Sequence, residues 1–448
     1  MERNLTAGSV FKNILFFSLP YLLSYFLQTL YGMADLFLIG QYGTVADTTA
    51  VSIGSQVMHM LTVMIVGLAM GTTVHIASAV GAGDRKKQAS GIGNTVTLFL
   101  GISVVLTVLL LLCVRPIVSL MSTPKEAVNG TVSYLTVCFL GLPFITAYNI
   151  ISSIFRGMGD SKSPMYFILV ACGVNIALDI LFMGPLHMGP TGAALGTTIS
   201  QAVSVVIFLL VIIKKQLIRL EKTDFKFNRG VMGKLLKIGL PISLQDGLIQ
   251  VAFIFITIIA NRRGLVDAAA VGVVEKIIGF LFLVPSSMLS AVSALGAQNI
   301  GAGKPERAVS TLKYAVMIAA GFGLVVTVIT QFSAEYIVSV FTGDKAVILA
   351  GGQYLRGYIL DCALAGVHFC FSGYFCACDK SILSFIHNIS AIVLARIPGV
   401  YITSKLFPTT LFPMGLATCG GSLVSVVICL VAFCILRKRA GHDFTAAT

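Results

Sequence analysis

The apolar runs decide most of what this chain can become. Windows of about 20 residues, enough for a helix to cross the ~30 Å hydrocarbon core of a bilayer, recur twelve times along its length. The first six centre on Ile14 to Ile39, Ser52 to Ala77, Gly93 to Val114, Val132 to Phe155, Pro164 to Met183 and Thr191 to Ile213. The second six run from Lys234 to Ala260, Ala268 to Ala294, Thr311 to Phe332, Gly351 to Phe375, Ile382 to Ser404 and Pro413 to Leu436. Charged residues make up 11% of the chain, against about 25% in soluble domains. The expected fold is therefore an all-α polytopic membrane protein, because segments of this length suit helices rather than barrel strands.

A net charge of +13 invites a nucleic-acid reading. Most Lys and Arg, however, sit in short loops between the apolar runs, as the positive-inside rule requires. Placing the N-terminus inside puts most of them in cytoplasmic segments and leaves Lys276, Arg356 and Arg396 within spans. The expected partners are the lipid bilayer and a small molecule, not nucleic acid, with both termini cytoplasmic and the chain monomeric. The first thirteen residues are mostly polar and the apolar run from Ile14 is too long for a signal h-region, so the first span is expected to be retained. The 10 cysteines lack C-x-x-C spacing, and the tightest pair, Cys376 and Cys378, has no neighbours at zinc spacing. Neither a metal site nor a cofactor is expected.

The longest polar connection, 214–233, carries Lys214, Lys215, Arg219, Lys222, Lys226 and Arg229. It separates an N-terminal lobe, 1–213, from a C-terminal lobe, 234–448. The lobes are duplicates. Val80-Gly81-Ala82-Gly83 recurs as Ile300-Gly301-Ala302-Gly303, and nearly the same offset relates Tyr134-Leu135 to Tyr354-Leu355, Phe155 and Ser161 to Phe375 and Ser381, and Leu19-Pro20 to Leu240-Pro241. Pro190-x-Gly192-x-Ala194 pairs with Pro413-x-Gly415-x-Ala417. An even number of spans per half gives both copies one orientation, related by an axis along the membrane normal, with the ligand path expected between them.

Energy-transducing and catalytic motifs are missing. The near miss to a phosphate-binding loop, Gly296 to Gly301, is followed by Ala302 instead of Lys, and no strand precedes either Gly-Ala-Gly loop. His59, His75, His187, His368, His387 and His442 are dispersed, without H-E-x-x-H or G-x-S-x-G, so an enzyme is not expected. What remains is a set of acids inside spans: Asp35, Asp179, Asp246, Glu275 and Asp361.

Asn175 and Asp179, four residues apart in an otherwise apolar segment, share one helix face. An acid there is costly and marks a site by default; the alternative is a hydrogen-bonded pair that holds two helices together. At about 1.5 Å per residue, Asp179 lies about 22 Å into an outward-going helix and Thr197 about 9 Å below the outer surface. Asp35 lies near the outer end of the first helix, so depth allows all three to meet. Such a cluster is a cation switch: desolvation and a second carboxylate both favour the protonated form, and carboxylate, amide and hydroxyl oxygens equally suit Na⁺. Pro20 and Pro241, early in the first helix of each half, each remove a backbone hydrogen bond and permit a bend or a fixed kink. Asp246, Glu275 and Asp361 have no basic partner four residues away, so they either attract cationic substrate or pair across helices with Arg356, Lys276 or Arg396. Met and Phe are abundant, 15 and 29 residues, and suit a deformable binding surface.

These residues resemble the multidrug and toxic compound extrusion (MATE) transporters. The resemblance is carried by the two six-span halves, Leu19-Pro20 with Asp35, Gly81-Ala82-Gly83-Asp84 and Gly301-Ala302-Gly303-Lys304, Arg156-Gly157-Met158-Gly159-Asp160-Ser161, and Asn175-Ile176-Ala177-Leu178-Asp179. It covers nearly the whole chain and is strongest to the bacterial DinF-like and MepA-like branch. It implies an antiporter in the bacterial cytoplasmic membrane that exports organic cations or amphipathic compounds against H⁺ or Na⁺ by alternating access. By position it implies that Asp35, Asn175, Asp179 and Thr197 form the cation-coupling site, with Asp246, Glu275 and Asp361 as substrate-cavity candidates. The seventh- and tenth-helix acid positions of the NorM-like branch fall here on Ile249 and near Ala365, so a C-lobe Na⁺ site of that type is not expected. A lipid-linked precursor flippase or a native-metabolite exporter of the same superfamily is the alternative.

Overall fold

The computed structural model describes residues 4–214 and 220–445, and side chains as far as residue 438. Lys215 and Arg219 of the connecting segment lie outside the described residues, and so does the side chain of His442. The described chain is helical almost throughout. The first half contributes α1 (Val10–Tyr42), α2 (Val45–Gly81), α3 (Arg85–Leu120), α4 (Val128–Leu140), α5 (Leu142–Gly157), α6 (Lys162–Met183) and α7 (Gly189–Lys214). The second contributes α8 (Arg229–Asn261), α9 (Leu265–Leu281), α10 (Leu283–Gly301), α11 (Pro305–Ser339), α12 (Lys345–Tyr358), α13 (Asp361–Ala377), α14 (Ser381–Ala391), α15 (Ile397–Leu406) and α16 (Phe412–Thr445).

Ten helical stretches are long and apolar enough to cross a membrane, and two bent pairs bring the number to 12 if each crosses once. The bent pairs are α4 with α5, at 49°, and α12 with α13, at 41°. They fall at corresponding places in the two halves: Gly141 interrupts the first, and Ile359-Leu360 the second. Pro143 at the start of α5 helps set the first bend, since its ring fixes φ and it cannot donate to the preceding turn. α1 continues through Pro20 and α8 through Pro241 without interruption.

Local sequence explains where helices begin and end. Thr44 and Asp47 form a capping box at the start of α2, and the Asp84 side chain takes the Lys87 amide at the start of α3. Asp160 does the same for α6 through the Lys162 and Ser163 amides, each at 3.0 Å. Gly83 and Gly303, at φ 68° and 71°, make the same left-handed turn after the second span of each half. Further on, Gly159 at φ 86° has its repeat counterpart in Asp379 at φ 57°. The duplication therefore extends to backbone conformation where the residue type has changed.

The chain divides into two compact units. The first is built mainly from Phe16–Ser243 with Gly301–Gly303; the second takes Ala7–Leu15, Leu244–Ile300 and the chain from Lys304 onward. In the first unit, α6 lies along α7 and α2 along α5. Two apolar clusters result, one around Phe99, Ile154, Phe155, Ile168 and Phe208, the other around Ile39, Val51, Leu135, Phe139 and Met183. Part of the connecting segment is docked onto α3: Asn94 accepts the Asn228 amide at 2.8 Å and donates to the Asp224 carbonyl at 3.2 Å. In the second unit, α11 packs on α13 and α12 on α16, around Val274, Tyr354, Tyr358, Val400 and Met414. Lipid is as apolar as the side chains, so close backbone approach supplies much of the packing energy. Gly357 and Gly415 show how: a Cβ on either would meet backbone of the other helix within 2.4 Å.

Candidate functional site

Three helices of the first unit each run through both of its apolar clusters, and each turns polar in between. α1 gives Leu27 to one cluster and Ile39 to the other, with Asp35 between. On α6, Ile168 and Ala171 precede Asn175 and Asp179, and Met183 follows them. On α7, Ala193 and Ala194 precede Thr197, and Val205 and Phe208 follow it. The polar residues are thus forced to meet one another, walled above and below by hydrocarbon.

They do meet. Asp35 is 3% exposed, Asn175 1% and Asp179 0%. The Thr197 hydroxyl donates to Asp35 Oδ2 at 3.1 Å. Asp35 is also in polar contact with Asp179 and Asn175. That contact closes no hydrogen bond of normal geometry: Asp35 Oδ1, both Asp179 oxygens and both polar atoms of Asn175 are buried without one. Among the described residues no Lys, Arg or His forms an ion pair with either carboxylate.

Two unit charges 4 Å apart interact by about 4 kcal/mol even at an effective dielectric of 20, and each buried ion carries its own desolvation penalty of several kcal/mol. A doubly ionised pair here is untenable on its own. A proton shared between the carboxylates, or a small hard cation taking their oxygens with those of Asn175 and Thr197, removes the repulsion.

Sequence reasoning did not single out Gly196. A Cβ there would lie 2.0 Å from Asp179 Oδ1 and 3.6 Å from Asn175 Nδ2, so the missing side chain is what lets the carboxylate sit against α7. Nor did it single out Tyr31 and Gln201, whose hydroxyl and amide nitrogen stand 3.5 Å apart one helical turn from Asp35 and Thr197 respectively. The available signal was the spacing of four: Tyr31 to Asp35, Asn175 to Asp179 and Thr197 to Gln201.

The candidate acids of the second unit do not gather into one cluster of this kind. Asp361, 0% exposed, takes a 2.8 Å ion pair from Arg396 Nη2, which also donates to Ser422 Oγ at 3.2 Å. Arg396 ends a single π-helical turn, Ile392–Arg396, whose extra residue re-aims the side chain. Glu275 accepts from the Thr257 hydroxyl at 3.3 Å while its Oε1 is buried without a partner. Asp246 takes only a long contact, 3.5 Å, from its neighbour Gln245. Of the basic residues within spans, Arg356 forks onto Glu335 at 2.6 and 2.5 Å, and Lys276 is exposed. Both ring nitrogens of His387 meet hydroxyls, Ser372 at 2.9 Å and Ser425 at 3.2 Å. That is the environment of a packed polar residue.

A family model described as MatE matches this chain twice, over residues 20–181 and 241–402. The first block contains Asp35, Asn175 and Asp179, and the second contains Asp246, Glu275, Asp361 and Arg396. Probable multidrug resistance protein YpnP of Bacillus subtilis (strain 168) is 27% identical over 394 residues, 88% of each chain. Multidrug export protein MepA of Staphylococcus aureus (strain N315) is 26% identical over 442 residues, 97% of this chain and 96% of that one. Among solved structures, MATE in the bent conformation superposes with a TM-score of 0.90 at 24% identity, over 99% of this chain and 98% of the other. The outward-facing conformation of a multidrug resistance MATE family transporter of the MOP superfamily gives 0.88 at 24% identity, over 98% and 97%. At that identity the structural likeness speaks for the fold.

Proposed function

This chain belongs to the MatE family and is a multi-pass membrane transporter rather than an enzyme, and we propose that it exports drug-like organic cations or amphipathic molecules in exchange for H⁺ or Na⁺. The export of several compounds is supported by the names of its curated relatives, multidrug resistance protein and multidrug export protein. The ion coupling rests on one observation: Asp35 and Asp179 are buried in polar contact, and among the described residues no basic side chain forms an ion pair with either.

In this reading the closed, dry site keeps its proton or Na⁺ because the bare pair is too costly to leave ionised. Opening to water hydrates the carboxylates and lets the ion exchange. The ion's affinity thus differs between conformations, which is what lets a gradient drive alternating access. Thr197 and Asn175 offer hydroxyl and amide donors that orient Asp35 and Asp179 in the closed state. Asp246 and Glu275 act as attracting charges for a cationic substrate, and Asp361 is held back by Arg396. The basic loops support cytoplasmic termini.

The test is uptake of a fluorescent lipophilic cation into inverted vesicles under imposed H⁺ or Na⁺ gradients. Wild type is expected to respond to one of the two gradients. Asp35→Asn and Asp179→Asn are each expected to lower gradient-driven uptake at least tenfold while the protein stays folded and inserted. Undiminished uptake by both variants would overturn the coupling role and leave the pair as a structural contact.

A further inference from the structure

We propose that the segments leading into α1 and α8 are a pair of straps: each fastens the start of its helix to the third span of the opposite half, and both must let go for the face on which these helices begin to open. This rests on the transporter reading but not on its coupling ion. The backbone just before α1 has no helix to use its carbonyls, and such groups need partners. α11 supplies one, since Arg307 Nη2 donates to the Ala7 and Gly8 carbonyls at 2.9 and 2.8 Å. Asn13 Nδ2 adds a bond to the Ala7 carbonyl at 2.9 Å, and Phe11 meets Tyr314 of α11 edge to face, with ring centroids 6.2 Å apart. Ala7–Leu15 accordingly belong to the second unit, although the rest of α1 lies in the first.

The segment before α8 does the converse. Asn94 on α3 accepts the Asn228 amide and donates to the Asp224 carbonyl, and the Thr97 hydroxyl donates to the Phe225 carbonyl at 3.2 Å. Gly93 makes room for this backbone, because a Cβ there would lie 2.3 Å from the Asp224 carbonyl oxygen. α8 stays in the first unit as far as Ser243. The two attachments are equivalent in position and unlike in chemistry. By the offset that relates Pro20 to Pro241, Asn228 corresponds to Ala7; by the offset that relates Gly83 to Gly303, Asn94 corresponds to Tyr314. A guanidinium and an aromatic pair hold one strap, an amide and a hydroxyl the other. Incidental packing of two helix starts would not bring unrelated side chains to equivalent points, so the two copies share the fastening and not the residues.

What the straps hold shut is visible within the first unit, where the start of α8 and the end of α10 lie against α2 with bare backbone. A Cβ on Gly71 would stand 2.1 Å from the Leu235 carbonyl oxygen, one on Gly239 2.1 Å from that of Leu68, and one on Gly301 2.1 Å from that of Ser78. Contacts of this kind have no side chain that could swing aside to admit a solute. The face opens only when the start of α8 leaves α2, and the straps are the polar bonds that oppose this. A few hydrogen bonds suit the task, because water replaces each one on release and the closed form is favoured without being locked.

The experiment bridges each strap in the full-length protein and reads two things. Phe11→Cys with Tyr314→Cys, and Thr97→Cys with Phe225→Cys, are joined by a short bis-methanethiosulfonate that a thiol removes; the single-cysteine variants, which keep the exposed Cys113 and Cys434, are the controls. Each bridge is expected to lower uptake of a fluorescent lipophilic cation into vesicles at least tenfold, and the thiol to restore it. The second readout needs no substrate or ion gradient. Leu235, 2% exposed against α2, is replaced by Cys, and its reaction with a water-soluble maleimide is followed by mass spectrometry of that peptide in purified protein. Arg307→Gln and Asn94→Ala should each raise the labelling rate several-fold, and either bridge should lower it. The proposal is overturned if bridged protein transports like its reduced form, or if Leu235→Cys reacts at one rate in all of these proteins. A wild type that moves no cation under either gradient while the labelling rates shift as expected would count against the proposed coupling and leave the straps standing. Should Asn94→Ala fail to fold, Arg307→Gln and the reversible bridges decide the matter.

Discussion

The two halves are copies of one helical plan, yet they treat a buried carboxylate in opposite ways. In the first unit Asp35 and Asp179 face each other beside the Thr197 hydroxyl and the Asn175 amide, with no basic partner among the described residues. In the second, Asp361 is as deeply buried, and Arg396 neutralises it at 2.8 Å. By the repeat offset, Asn175 corresponds to Ala395 and Asp179 to Gly399, and the π-turn ending at Arg396 inserts a cation beside those vacated positions. The comparison teaches that the fold tolerates buried charge in two forms. One is neutralised within the protein by an arginine; the other has no ion-pair partner among the described residues.

The comparison can be broken most forcefully at Arg396. Arg396→Met leaves Asp361 buried and unpaired and should cost about 3–5 kcal/mol of stability, read as a sharp fall in the Tm of the purified protein. Adding Asp361→Asn should recover most of that loss, because the uncompensated charge is gone. If the single variant is as stable as wild type, the ion pair is not holding the second unit together.

Gly196→Ala is next, because it changes shape at the acid pair without changing charge. Its Cβ would stand 2.0 Å from Asp179 Oδ1, so the carboxylate must swing away from α7. We expect a loss of about 1–3 kcal/mol from overpacking and a several-fold loss of gradient-driven uptake with the acids intact. Thr197→Val removes the one hydroxyl bonded to Asp35 and should cost about 0.5–1.5 kcal/mol, while Thr197→Ser should stay near wild type. A Tm series reads both.

The smallest expected effect sharpens the contrast most. Asp35→Asn, in stability terms, should stay within about 1 kcal/mol of wild type, since it replaces one member of a repelling pair by a neutral isostere. Asp361→Asn should destabilise more, because it strips Arg396 of its counter-charge. If Asp35→Asn is the more damaging of the two to Tm, the acid pair is structural.

Much of this was readable before any coordinates. Apolar length gave the spans, and the spacing of Asn175 and Asp179 put amide and acid on one face. Depth along the helix allowed Asp35 and Thr197 to join them. What depth could not give was azimuth: whether α1 turns Asp35 toward α6 depends on how three helices rotate against one another, and that follows from packing of side chains such as Leu27, Ile39 and Phe208. For the same reason the partner of Asp361 could be narrowed to three cations and no further. The π-turn at 392–396 was invisible, since one extra residue in a helix leaves no compositional trace.

The sequence by itself determined that this is a duplicated chain with twelve apolar spans and rare acids within them, because bilayer thickness and hydrocarbon solvation act on each segment separately and need no knowledge of its neighbours. Only the tertiary structure decided which acids are paired with a base and which are buried without one. That distinction depends on contacts of a few ångströms between residues such as Asp361 and Arg396, 35 positions apart, or Asp35 and Thr197, 162 apart. Charge interactions are decided by distance and burial, and neither is written in the local sequence.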